Sequence, residues 1–187
     1  MPPKVKTARE DIIDAAVSIV REQGPSAINA RTIAAALSCS TQPIFSNFAS
    51  MDELKLAVIA KADKLCQEYI NREIASNTYP PYKASGMAYI RFAKEEKELF
   101  KLLYMRDRTG EKDVPEYSFS EQIETIVHNN TGLDGQKQQL FHLEMWAYVH
   151  GIATMFATGF LDLDWDLVSQ MLTDVYLGLR KQYGMER

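Results

Sequence analysis

Residues 29–48 read Asn29-Ala-Arg-Thr-Ile-Ala-Ala-Ala-Leu-Ser-Cys-Ser-Thr-Gln-Pro-Ile-Phe-Ser-Asn-Phe48. The stretch divides into two short helical patterns around a tight turn. Asn29 caps a helix over 30–37, because its side chain can accept an amide that the first turn leaves free. Ser38 and Cys39 make the turn, and Ser40 caps a second helix over 41–48. Pro43 then falls in the first turn of that helix, where a missing amide costs little. Ile33, Ala34 and Leu37 share one face of the first helix, and Ile44 and Phe48 share one face of the second. The alanines at 34–36 let the two helices approach closely.

Working outward, Thr7 and Glu10 form a capping box before Ile12, Ile13, Ala16, Val17 and Val20, which recur at helical spacing. Gly24-Pro25 stops that helix after Gln23. Ser50-Met-Asp-Glu53 is a second capping box, opening a long helix to about Ser76, and Tyr79-Pro80-Pro81 breaks the chain. Helices follow at about 82–95, 97–106, 117–130, 136–159 and 165–183. Thr109-Gly110, Val114-Pro115 and the segments 132–135 and 162–164 punctuate them. There is no strand-like alternation and no internal repeat. The sequence is therefore all-α, with about nine helices. A three-helix N-terminal domain over 1–48 precedes a larger C-terminal helical bundle over 49–187.

With 187 residues, 46% hydrophobic and 25% charged, the chain has the composition of a globular protein with a real core. Cys39 and Cys66 form no CxxC pair, which removes a disulfide scaffold, a zinc ribbon and a redox motif; two thiols suit a reducing cytoplasm. Met145 to Leu161 is uncharged for 17 residues, but it contains His150 and is flanked by Glu144 and Asp162. That pattern suits a buried core helix better than a membrane span. The net charge of −4 is unevenly placed. Residues 1–48 carry five basic against four acidic side chains, and residues 49–187 carry 16 against 21. A small basic tip on an acidic body suits nucleic-acid contact through a small module.

Other chemistries lack their residues. A di-iron carboxylate bundle needs Glu-x-x-His on two helices, and that spacing does not occur. His142 and His150 are two turns apart, about 12 Å along a helix, too far to share one metal. Asp162-Leu-Asp-Trp-Asp166 begins like a calcium loop, but Leu167 and Thr173 replace its glycine and glutamate. There is no Gly-x-Ser-x-Gly, phosphate loop or dinucleotide fingerprint. No catalytic residue, metal site or cofactor is expected.

The second short helix buries Ile44 and Phe48 and carries Ser40, Thr41 and Gln42 at its start. Short polar groups there can reach base edges and phosphates in a major groove. Gln42 suits a bidentate contact with adenine, and Thr41 suits a thymine methyl. The same pattern is compatible with a plain three-helix subdomain, or with a helical protein-interaction module without DNA binding.

On the residues Ile12-Ile13-Asp14-Ala15-Ala16, Gly24, Ile33-Ala34, Ser40, Ile44-Phe45, Phe48 and Leu54, the sequence resembles the TetR family of transcriptional regulators over about residues 7–56. The resemblance implies a helix-turn-helix whose second helix, 41–48, is the recognition helix. It implies a homodimeric regulator, typically a repressor, that reads a pseudo-palindromic operator in double-stranded DNA. The DNA-binding set is then Arg31, Ser40, Thr41, Gln42, Phe45, Ser46 and Asn47, with Lys4, Lys6, Arg9 and Lys55 as backbone contacts. Three positions depart from the family pattern. Ser38 stands for the turn glycine, Phe45 for a tyrosine, and Met51 for a lysine.

Further along, Phe92-Ala93, Glu98-Leu99-Phe100 and Trp146-Ala-Tyr-Val-His150-Gly151 look like a TetR subgroup with a Trp-x-x-x-His-Gly helix. Glu96-Lys97 stand where that subgroup has His-Pro. Trp146 and His150 share a helix face. They are either packing residues or, with Phe92, Leu103, Tyr104 and Phe156, the lining of a site for a small, mostly apolar effector. Val168, Met171, Leu172, Val175 and Leu179 give the last helix a broad apolar face. The resemblance implies a four-helix dimer contact there. Gly151, Ala153, Ala157 and Gly159 would admit a close neighbour to the preceding helix.

Overall fold

The computed structural model describes residues 7–107, 109 and 120–185. Among these residues the chain forms nine α-helices and no strand. They are α1 (Arg9–Gln23), α2 (Ala30–Ala36), α3 (Gln42–Asn47), α4 (Met51–Ser76), α5 (Pro81–Glu95), α6 (Lys97–Tyr104), α7 (Glu121–Thr131), α8 (Gly135–Thr158) and α9 (Trp165–Gln182), with one 3-10 turn at Pro25–Ala27. The all-α class follows the patterning. Lys4, Lys6, Gly110, Val114-Pro115 and the expected helix start at 117 lie outside the described residues. None of the described helices is long and apolar enough to cross a membrane.

The chain divides into two compact units, one of residues 1–67 and 96–106, the other of residues 68–95 and 107–187. The helix-turn-helix stretch lies in the first and α4 has residues in both.

In the first unit α1 buries Ile12, Ile13, Ala16, Val17, Ile19 and Val20 along one face. Its start corrects the expected capping box. The N-cap is Ala8, one residue later than Thr7, and the Asp11 carboxylate accepts from the Ala8 amide at 2.9 Å. Asp11 thus does what was expected of Glu10, because it is the residue three past the cap. Gly24 ends the helix at φ 84°, a left-handed value that suits glycine. α4 opens with half of its expected box, because Glu53 reaches the amide of Ala49, one residue before the cap, rather than that of Ser50. The Ser50 hydroxyl accepts from the Glu53 amide at 3.1 Å, and the Glu53 carboxylate accepts from the Ala49 amide at 2.7 Å. Leu54, Val58, Ala62 and Cys66, every fourth residue, are all fully buried. Glu96 precedes α6 and takes both nitrogens of a guanidinium fork from Arg21, at 2.8 and 2.7 Å.

The second unit is built on α5 against α8. Gly86 lies against α8 and α9: a Cβ there would lie 3.1 Å from Cδ2 of Leu172 and 3.5 Å from Cγ2 of Val149. Tyr82, Val127, Phe141 and Met145 form a buried cluster, and Val175, Tyr176, Leu179 and Tyr183 pack against it.

Candidate nucleic-acid interface

Asn29 caps α2 as its sequence position implies, its side chain accepting from the amides of Arg31 and Thr32 at 3.0 Å each. The Thr32 hydroxyl accepts from the Asn29 amide in return, at 3.2 Å. α2 ends at Ala36, one residue before the expected Leu37, which is its C-cap. The turn closes through Ser38 at φ 50°, the left-handed region, and the Cys39 amide donates to the Ala34 carbonyl at 2.9 Å.

α3 spans Gln42–Asn47, so Thr41 and Phe48 flank the helix rather than belong to it. Ser40 is not its cap, and neither is any other side chain. The reason is the supply of donors. Pro43 has no amide, and the amides of Ile44 and Phe45 already donate to the Thr41 carbonyl at 3.1 and 3.4 Å. Ile44 and Phe48 are buried with Ile33 and Ala34. That anchors α3 by its inner face and turns Gln42, Phe45 and Ser46 outward, all exposed. These three are at i, i+3 and i+4, one helix face.

The other candidates differ in how far they are engaged. Ser40 and Arg31 are exposed, and Thr41 is half-buried. The Ser46 hydroxyl donates to the Gln42 carbonyl at 2.9 Å. The Asn47 amide donates to the Pro43 carbonyl at 2.8 Å and the Thr7 carbonyl at 3.4 Å, so it ties α3 to the approach of α1. Arg9 lies 3.3 Å from the Glu53 carboxylate and 4.1 Å over the Phe48 ring. Lys55 pairs with Asp52 at 3.4 Å. Glu53 and Phe48 were not foreseen as partners of Arg9, since no short spacing announces a pair 44 residues apart.

The effector candidates fall in both units. Leu103 and Tyr104 belong to the first; Phe92, Trp146, His150 and Phe156 belong to the second. Trp146 and His150 do meet, stacked with centroids 4.8 Å apart. The others have separate partners. Phe92 meets Tyr69 edge-on, Phe156 stacks on Trp165, and the Tyr104 hydroxyl donates to Sγ of Cys66 at 3.7 Å. Sequence reasoning missed a double rung between α5 and α8. The Tyr82 hydroxyl lies 2.9 Å from Nδ1 of His142, and the Tyr89 hydroxyl 2.9 Å from Nδ1 of His150. The signal was legible as two tyrosines and two histidines, each pair about two turns apart. Burial lowers the pKa of both histidines, that of His142 to about 4. Burial also pushes the Cys66 thiol up to about 12, which makes it a packing group rather than a nucleophile.

The apolar stripe of α9 faces inward. Val168 and Leu172 are buried within the chain itself, and Val175 and Leu179 pack on the second unit's core; Met171 is half-buried. The dimer contact expected of Val168 and Leu172 is therefore corrected, because neither presents surface to a partner. The large exposed apolar residues of these helices are Leu140 on α8 and Leu167 and Leu177 on α9. Ala153 and Ala157 are buried as well, and Gly159 is the C-cap of α8 at φ 70°. Among the described residues no group of three or more His, Cys, Asp or Glu side chains is placed to hold a metal ion.

A capped helix, a left-handed turn and a second helix anchored by its inner face with its outer face exposed define a helix-turn-helix protein. Residues 82–175, just over half of the chain, match the family described as "Tetracyclin repressor-like, C-terminal domain". The chain belongs to the TetR family of transcriptional regulators, and is a DNA-binding regulator. It is 25% identical to an uncharacterized HTH-type transcriptional regulator of Mycobacterium tuberculosis, over 97% of this chain and 83% of that one. Its fold is similar to that of a TetR-like transcriptional regulator from Rhodococcus sp. RHA1, with TM-score 0.67 at 18% identity over 95% of this chain and 97% of that one. A TetR family member from Streptomyces coelicolor A3 gives TM-score 0.64 at 18% identity, over 89% and 96% of the two chains. The multidrug binding protein EbrR, solved with imidazole, gives 0.57 at 16% identity, over 89% and 88%.

Proposed function

We propose that this chain is a cytoplasmic, homodimeric repressor whose α3 helices read a pseudo-palindromic operator. The observation that carries the reading is the anchoring of α3: Ile44 and Phe48 buried, Gln42, Phe45 and Ser46 exposed. Gln42 reads an adenine edge, Thr41 and Ser40 lie beside it, and Arg31, Arg9, Lys55, Lys4 and Lys6 meet phosphates. In this division of labour residues 1–48 bind DNA, and residues 49–187 dimerise and take an effector. The self-contact uses the exposed faces of α8 and α9, with Leu140, Leu167 and Leu177 at its apolar centre. No catalysis is assigned to it.

A small, mostly apolar effector bound within the second unit, beside Phe92, Trp146, His150 and Phe156, would act through α4. It would change the spacing of the two recognition helices from the ~34–36 Å that successive major grooves need. It must bind one conformation better than the other to do so. The multidrug binding protein EbrR, solved with imidazole, shares this fold, which is in keeping with an aromatic ligand site here.

The test is selection of bound sequences from random duplex, followed by affinity on the selected site. Gln42→Ala is expected to weaken the selected site by about 1–3 kcal/mol and to relax preference at one base position. Wild-type protein that selects no sequence would exclude sequence reading by α3.

A further inference from the structure

The outer face of α3 has a composition that phosphate contact does not explain. Residues 40–48 carry no formal charge. The one large side chain on that face, Phe45, is 54% exposed and has no polar atom to offer a phosphate. Its neighbours on the face, Gln42 and Ser46, are exposed too, and Ile44 and Phe48 hold the helix from behind, so the ring is not needed for the core.

We infer that Phe45 reads the C5-methyl group of a thymine in the major groove. The inference rests on the proposed docking of α3 and adds a specificity determinant to it. Base edges in the major groove present hydrogen-bonding groups at every pair, and the thymine methyl is the apolar group among them. A ring that offers neither donor nor acceptor leaves those other edges desolvated and unpaired, which is costly, whereas against a methyl both partners lose water favourably. Three residues of helix rise by about 4.5 Å, and one base step by about 3.4 Å. Gln42 and Phe45 therefore serve pairs about one step apart, which makes the half-site an A·T-containing step read by an amide and a ring together.

The experiment replaces each thymine of the selected site, one at a time, by deoxyuridine. This removes one methyl and keeps every hydrogen-bonding group. Affinity is measured for wild type and Phe45→Ala, with random duplex as the control that the variant is folded and binds backbone. At one position per half-site, uracil is expected to weaken wild type about fourfold, the worth of one buried methyl. The same replacement is expected to leave Phe45→Ala unchanged within twofold. A selected site in which no thymine shows this Phe45-dependent loss overturns the inference and leaves sequence reading by α3 standing; the ring then lies against sugar. A wild type that selects no site overturns both.

Discussion

The Tyr82 hydroxyl and Nδ1 of His142 are 2.9 Å apart, and both side chains are buried in the second unit. Burial holds the His142 pKa at about 4, below its ordinary 6.5. The native state therefore binds fewer protons than the unfolded chain between these values. The histidine contributes its full stability above pH 6.5, loses it as pH falls toward 4, and loses no more below. The loss amounts to about 3 kcal/mol across that window. His142→Gln keeps an acceptor for Tyr82 and removes the titration. Its urea-unfolding free energy is expected to fall less steeply than wild type between pH 6.5 and 4. Parallel curves for the two proteins would mean that His142 is not buried as described.

Core and contact surface on α9 separate by substitution. Leu172 sits over Gly86 and is 3% exposed, so Leu172→Ala is expected to cost about 2–5 kcal/mol in unfolding. Leu177 is 53% exposed, so Leu177→Glu is expected to keep the fold. If the outer face of α9 joins two copies, that variant elutes as a monomer with unchanged helical circular dichroism, because a charge in an apolar contact lacks a partner. Wild type that elutes as a monomer at micromolar concentration would remove the dimer proposal.

Ser38 holds φ 50° in the turn between α2 and α3. A left-handed residue with a Cβ costs roughly 1–2 kcal/mol, and glycine gives back about half through its freer unfolded chain. Ser38→Gly is expected to stabilise the protein by roughly 0.5–1 kcal/mol, a rise of about 1–4 °C in Tm. Ser38→Val is expected to lower Tm, because a β-branched side chain fits that region worse than serine. Equal Tm values for the glycine and valine variants would contradict the left-handed turn.

The parts of the molecule legible in the sequence are those set by short-range rules. Asn29 at the start of α2, Gly24 at the end of α1 and Ser50 before α4 each act within one turn of themselves, so spacing alone locates them. The inner face of α9 was not legible. Leu167 and Val168 are adjacent and both apolar, yet one is 48% exposed and the other fully buried. Periodicity finds a broad stripe there, and only packing against α5 and α8 decides its centre. Glu96 was legible only as a departure from a pattern. Its fork with Arg21, 75 residues away, gives that departure a structural use. Of the aromatic pairs only Trp146 with His150, one turn apart on α8, was legible; Phe92 with Tyr69 and Phe156 with Trp165 join different helices, which spacing does not announce.

At the N-terminus of α4 both cations are already matched by acids, Arg9 by Glu53 and Lys55 by Asp52. Met51, the first residue of α4, stands where the family pattern has a lysine. Met51→Lys adds a positive charge at that end without removing either pair. Lysine sits poorly at a helix N-terminus, at a cost of about 0.3–1 kcal/mol, so a small drop in Tm is expected. If the end of α4 lies beside the DNA backbone, the new charge displaces one more counterion. The slope of log affinity against log salt then steepens by roughly one unit, on the selected site and on random duplex alike, because a phosphate contact carries no sequence information. Affinity rises on both, and the preferred sequence stays the same. Unchanged slopes in a folded variant would place the start of α4 away from the phosphates, and the backbone contacts assigned to Arg9 and Lys55 would fall with it.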